Sequence, residues 1–193
     1  MVGDCGTNMA MPARKPRKHR PPLDAGKLDE LALSYVGRFA TSRARLIGYL
    51  ARKLRERGWA GADEPPVEAL ADRLASLGYV DDQAYALAKT RSLTARGYGS
   101  RRVRQALSRA GIAEDEGAAA YDLANGQAVE AALRFAKRRS LGPYSEVRLS
   151  DPRDRERALG AMVRAGHSFG LARAIIDLDP GDAPDIDALS ELR

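Results

Sequence analysis

Four arginines, Arg101, Arg102, Arg104 and Arg109, fall within one short stretch, and Lys89, Arg91 and Arg96 precede them. Guanidinium groups bind phosphates and carboxylates through forked, charge-assisted hydrogen bonds. The chemistry on offer is therefore recognition of an anion. Secondary cations of the same kind are Arg43, Arg45, Arg52, Arg164 and Arg173. Bond-making chemistry finds no comparable set. His19 lies in a Pro-rich basic leader, and His167 follows a glycine at a helix end, where packing or capping is its expected role. Cys5 is the lone cysteine and has no disulfide partner within the chain. His-Glu-x-x-His, Cys-x-x-Cys and a phosphate-cradling Gly-Lys-Ser/Thr loop are all missing. Gly97-Tyr98-Gly99 lacks the third glycine of a dinucleotide fingerprint. Asp81 with Asp82, and Glu114 to Glu116, sit at helix starts and read as caps. The expectation is a non-enzyme with no metal and no cofactor.

The elements that must position these cations are helical throughout. Leu28, Leu31, Tyr35 and Phe39 recur at helical spacing, and Ser42 is placed to cap a second helix with Leu46, Leu50 and Leu54 on one stripe. Pro65 and Pro66 open a third, with Val67, Leu70, Leu74 and Leu77 inward and Tyr79 and Val80 folding back over it. Asp81 starts a fourth, and Gly97-Tyr98-Gly99 breaks the chain before a fifth that Ser100 is placed to cap, with Val103 and Leu107 buried. Further helices are expected near residues 114–124 and 127–140, around Ala158 and Met162, and from Phe169 to Ile176. No stretch alternates with the period of a strand.

A weak repeat underlies this series. Counting back from Gly58, Gly111 and Gly166, the fourth and eighth residues are apolar each time: Leu54 and Leu50, Leu107 and Val103, Met162 and Ala158. The expectation is an all-α fold of three tandem three-helix repeats in an elongated, curved arrangement. The divisions are 1–26, a disordered basic leader; 27–80, 81–126 and 127–178, the three repeats; and 179–193, an acidic disordered tail.

Composition agrees with this reading. The chain has 193 residues, 44% of them hydrophobic and 30% charged, with a net charge of +6. Residues 81–112 alone carry +5, whereas 113–127 and 179–193 carry −4 each. Basic blocks of this kind commonly face a polyanion or an acidic protein surface. No apolar run is long enough to span a membrane, and the start lacks the apolar core of an export signal, so a reducing cytoplasm is expected. Met9 and Met11 are alternative starts to Met1.

One segment carries a family resemblance. Leu77-Gly78-Tyr79-Val80-Asp81-Asp82 is followed by Gly97-Tyr98-Gly99, then by a basic helix from Ser100 to Leu107 that closes on Gly111-Ile112. This resembles the RecX family of RecA regulators. Ser42 to Leu46 with Gly58-Trp59 is similar to that family's first unit, and Arg164 to Phe169 to its last. Residues of about 28–178 are covered. Two departures stand out: Leu46, Leu50 and Leu54 make the second helix about one turn longer, and Ala106 occupies a position that is often acidic.

The resemblance implies a monomeric cytoplasmic regulator that binds the RecA recombinase and its nucleoprotein filament. It also implies inhibition of recombinase, ATPase and coprotease activity, within DNA repair, recombination and the SOS response. The site candidates are then the seven cations from Lys89 to Arg109, with single- or double-stranded DNA as a further partner. The alternative is a helix-turn-helix nucleic-acid-binding module with Ser100 to Ala110 as recognition helix, for which Gln105 is the one amide reader beside the arginines.

Overall fold

The computed structural model describes residues 20–193. The expectations for Cys5, His19 and the rest of the leader before Arg20 lie outside the described residues. Ten α-helices and one 3-10 turn make up the described chain, and the only β-type pairing among these residues is an isolated bridge between Leu23 and Trp59.

The first group is α1 (Ala25–Val36), α2 (Arg43–Arg57) and α3 (Val67–Ser76). Asp24 caps α1 and Ser42 caps α2, each accepting from a backbone N–H three residues on. Leu23, Leu28, Leu46, Leu50, Leu70 and Leu74 build its core. The chain is thus ordered before residue 26. Leu23 is fully buried and exchanges backbone hydrogen bonds with Gly58 and Ala60, because its side chain completes this core.

Three hydrophobic residues depart from their expected places. Leu77 is 63% exposed and Tyr79 58% exposed. The cause is the stop of α3 at Ser76: Gly78 turns the chain at φ 77°, and the side chain that returns to the core is Val80. Phe39 likewise stands outside α1 and is exposed.

The second group is α4 (Asp82–Ala95), α5 (Ser100–Ser108) and α6 (Glu114–Gly126) around Ala86, Leu93, Val103, Leu107 and Ala120. Asp81 caps α4 by accepting from the N–H of Ala84 at 2.8 Å. Gly99, rather than Ser100, is the cap residue of α5, and Ser100 is its first helical residue.

The third group is α7 (Ala128–Arg138), α8 (Pro152–Arg164) and α9 (Phe169–Asp177), with the 3-10 turn Gly142–Tyr144 between α7 and α8. Its core is Phe135, Met162, Leu171, Ile175 and neighbours. The acidic tail joins it: α10 (Ile186–Ser190) sets Leu189 into this core at 5% exposure, and Ser168 Oγ donates to the Leu192 carbonyl at 2.5 Å. Asp185 caps α10, so an Asp-rich composition coexists with local order.

Gly58, Gly111 and Gly166 have φ of 82°, 70° and 101°, the region that favours glycine, so the sequence register marks three comparable helix exits. Two of these exits serve as joints. At the first, Ser42 Oγ donates to the Ala110 carbonyl at 2.5 Å, and the Arg43 N–H donates to Asp82 Oδ1 at 2.8 Å. At the second, the N–H groups of Gly99 and Arg101 donate to the carbonyls of Ala165 and Gly166 at 3.0 and 3.2 Å. The start of α2 thus meets the end of α5, and the start of α5 meets the end of α8. The middle helices of the three groups stand end to end, positive pole on negative pole.

Candidate functional site

On α5, Val103 and Leu107 point into the core. By helical phase Arg101 and Arg102 turn away from this face and Arg104 flanks it, while Arg109 stands just past the helix end, and all four are exposed. Arg91 and Arg96 are exposed as well, and Lys89 is half-buried. No ion pair among the described residues includes any of these seven. Their positive charge is not balanced by a carboxylate partner within the described residues.

The structure brings some of the seven together and leaves others apart. The guanidinium groups of Arg96 and Arg102 both lie over the Tyr98 ring, 5.4 and 6.0 Å from its centre. Arg104 lies over Tyr121 of α6 at 5.4 Å. Planar cations held on rings in this way are pre-organised yet keep N–H donors free. Lys89 and Arg91 on α4 make no hydrogen bond or ion pair to this set. Gln105 accepts from Arg102 at 3.0 Å through its side-chain oxygen, so the one amide suited to reading bases is already engaged.

The secondary candidates behave differently. Arg43 is bonded to Asp72 at 2.5 Å, which raises the Arg43 pKa and lowers that of Asp72. Arg45 donates to the Tyr85 hydroxyl at 3.1 Å. Arg52 pairs with Glu56 and Arg173 with Asp177, at 3.7 and 3.6 Å. Arg164 is exposed and free of ion pairs among the described residues. In the outer groups, then, most candidate cations are committed within the fold.

Three cations missed in the sequence reading complete the picture. Arg134 and Arg138 of α7 donate to the carbonyls of Thr94 and Arg96 at the end of α4, at 3.2 and 2.5 Å. Arg138 and Arg139 both lie over the Phe135 ring, at 5.6 and 5.8 Å. The run Lys137-Arg138-Arg139 was the available signal, but its nearness to Arg96 depends on how α7 packs.

His167 sits at the second joint. It is 2% exposed, with Nε2 3.1 Å from the Gly97 carbonyl and Nδ1 without a partner. Burial lowers its pKa to about 4, partly opposed by the Gly97 hydrogen bond. A neutral, packed histidine of this kind supports structure. No three His, Cys, Asp or Glu side chains converge as metal ligands among the described residues, and none of their helices is long and apolar enough to cross a membrane.

Taken together, the fold and surface define an all-α helical-repeat protein with a basic middle. Residues 81–120 match the model of the RecX second three-helix domain. The chain is 34% identical over 177 residues to the regulatory protein RecX of Myxococcus xanthus, covering 86% of this chain and 91% of that one. It is 33% identical to that of Thermobifida fusca over 151 residues, covering 76% of this chain and 75% of the relative. The crystal structure of RecX from Lactobacillus salivarius shares the fold, with a TM-score of 0.57 at 21% identity over 79% of this chain and 94% of the other. The chain belongs to the RecX family of regulatory proteins.

Proposed function

We propose that this protein is a cytoplasmic, non-enzymatic regulator that binds the RecA recombinase and its nucleoprotein filament. Binding restrains ATP hydrolysis, strand exchange and coprotease activity, and so acts on recombination, DNA repair and the SOS response. The observation that carries this reading is the contrast in charge: the seven cations from Lys89 to Arg109 have no carboxylate partner among the described residues, whereas all nine ion pairs among those residues are made by cations of the outer groups. Family membership supports RecA as the partner, and a row of helical groups suits it. Such a row can touch several subunits of a helical polymer at once, and each contact raises the effective concentration of the next.

The test is RecA's DNA-dependent ATPase. A monomeric regulator of this kind lowers it at substoichiometric amounts, because one bound molecule affects many subunits of a filament. Changing Arg101, Arg102 and Arg104 together to Ala leaves the fold intact, since all three are exposed, and weakens inhibition. Full inhibition by the folded triple variant moves the contact to the third group, around Arg164 to Arg173. Absence of inhibition by the unaltered protein ends the reading.

A further inference from the structure

The second joint gathers positive charge from both sides. Arg96 and Arg102 reach the Tyr98 ring from the second group, while Arg134, Arg138 and Arg139 come from α7 of the third. No ion pair among the described residues includes any of the five. Two of them are tied to carbonyls at the end of α4, where the helix dipole favours a cation, but each guanidinium keeps further donors. Arg138 Nη1 lies 2.5 Å from the Arg96 carbonyl, so cations of both groups gather at one joint, and their repulsion acts across the boundary between two cores. An anion long enough to touch both sides relieves it.

The surroundings point to the class of anion. All the exposed large hydrophobic side chains among the described residues, such as Leu77, Tyr79, Val147 and Phe169, lie outside residues 81–139. Protein interfaces have an apolar centre, whereas nucleic-acid interfaces are more polar and far more positive. Guanidinium groups over the Tyr98 and Phe135 rings are also suited to stack on unpaired bases whatever the sequence. We infer that the joint between the second and third helical groups is a clamp for single-stranded nucleic acid, whose phosphodiester backbone bridges Arg96 and Arg102 to Arg138 and Arg139 and holds the joint closed.

The joint carries its own reporters. The N–H groups of Gly99 and Arg101 are bonded across it to Ala165 and Gly166, so their hydrogen exchange follows joint opening. The first joint, where Ser42 meets Ala110, is the internal control. The experiment adds a labelled oligodeoxythymidylate to the full chain with no RecA present, so its outcome is separate from that of the ATPase test. At tenfold excess over the dissociation constant, exchange at Gly99 and Arg101 slows about tenfold, while the first joint is unchanged. Binding weakens with salt, and changing Arg96, Arg102 and Arg139 together to Ala flattens the log–log salt slope by about 2. That variant keeps its melting temperature and loses the protection.

Several results overturn the inference: no binding, a salt-independent affinity, equal protection at both joints, or binding without protection. Equal protection by polyglutamate overturns it in favour of an acidic protein partner. If the triple variant fails to fold, the exchange pattern of the unaltered protein still decides.

Discussion

The hydroxyl of Ser42 donates to the carbonyl of Ala110 at 2.5 Å while accepting from the N–H of Arg45 at 3.3 Å. One buried side chain therefore caps α2 and fastens it to the end of α5, 68 residues away. The cap orients the hydroxyl that makes the joint.

Ser42→Ala removes both interactions and leaves a buried carbonyl without its donor. Loss of a cap costs about 1 kcal/mol, and an unsatisfied buried group about 1–3 kcal/mol. The expected destabilisation is about 2 kcal/mol, read as a lower urea midpoint. An unchanged midpoint would show that the Ser42 hydroxyl contributes nothing to stability.

At the second joint the backbones approach too closely for a side chain. A Cβ on Gly166 would lie 2.4 Å from the Arg102 nitrogen, at a φ of 101°. Gly166→Ala is expected to cost more than about 1 kcal/mol from the backbone alone, with the clash added. Hydrogen exchange should rise at Gly99 and Arg101 well before the first group responds.

His167 sets a dependence on pH. Its folded pKa is about 4, below the ordinary 6.5, so between those values the unfolded chain binds a proton that the folded chain does not. Stability is therefore full above about 6.5 and falls as pH drops toward 4. The full shift corresponds to about 3 kcal/mol. His167→Gln should remove most of this slope in denaturation titrations between pH 7 and 5, above the range where the lowered Asp72 begins to titrate.

Leucines of identical chemistry should separate by burial. Leu107 is fully buried, so Leu107→Ala loses transfer energy, leaves a cavity and costs about 2–5 kcal/mol. Leu77 is 63% exposed, so Leu77→Ala should stay within about 0.5 kcal/mol. Matched thermal melts of the two variants check the core assignment directly.

Much of the fold was legible because its signals are local. Asp81 and Ser42 announce their helices by capping them, and Val103 and Leu107 announce a buried face by their spacing. Gly58, Gly111 and Gly166 mark helix exits because positive φ favours glycine whatever lies around it. The exposed arginines of α5 follow from that same phase. Local rules failed where a neighbour made the decision. Periodicity carried Leu77 inward, but α3 stopped short and Val80 took the place in the core. Acidic composition made the tail look solvated, but the third core has room for Leu189.

The sequence by itself determined most of the helices, the family and the basic character of the middle group, since each is written in residues a few positions apart. Only the tertiary structure decided which cations stand together. Arg138 reaches the Arg96 carbonyl across 42 residues, and His167 reaches Gly97 across 70. These contacts depend on how separate helices pack, where a backbone without a Cβ admits a close approach. Spacing along the chain carries no information about a distance closed in this way.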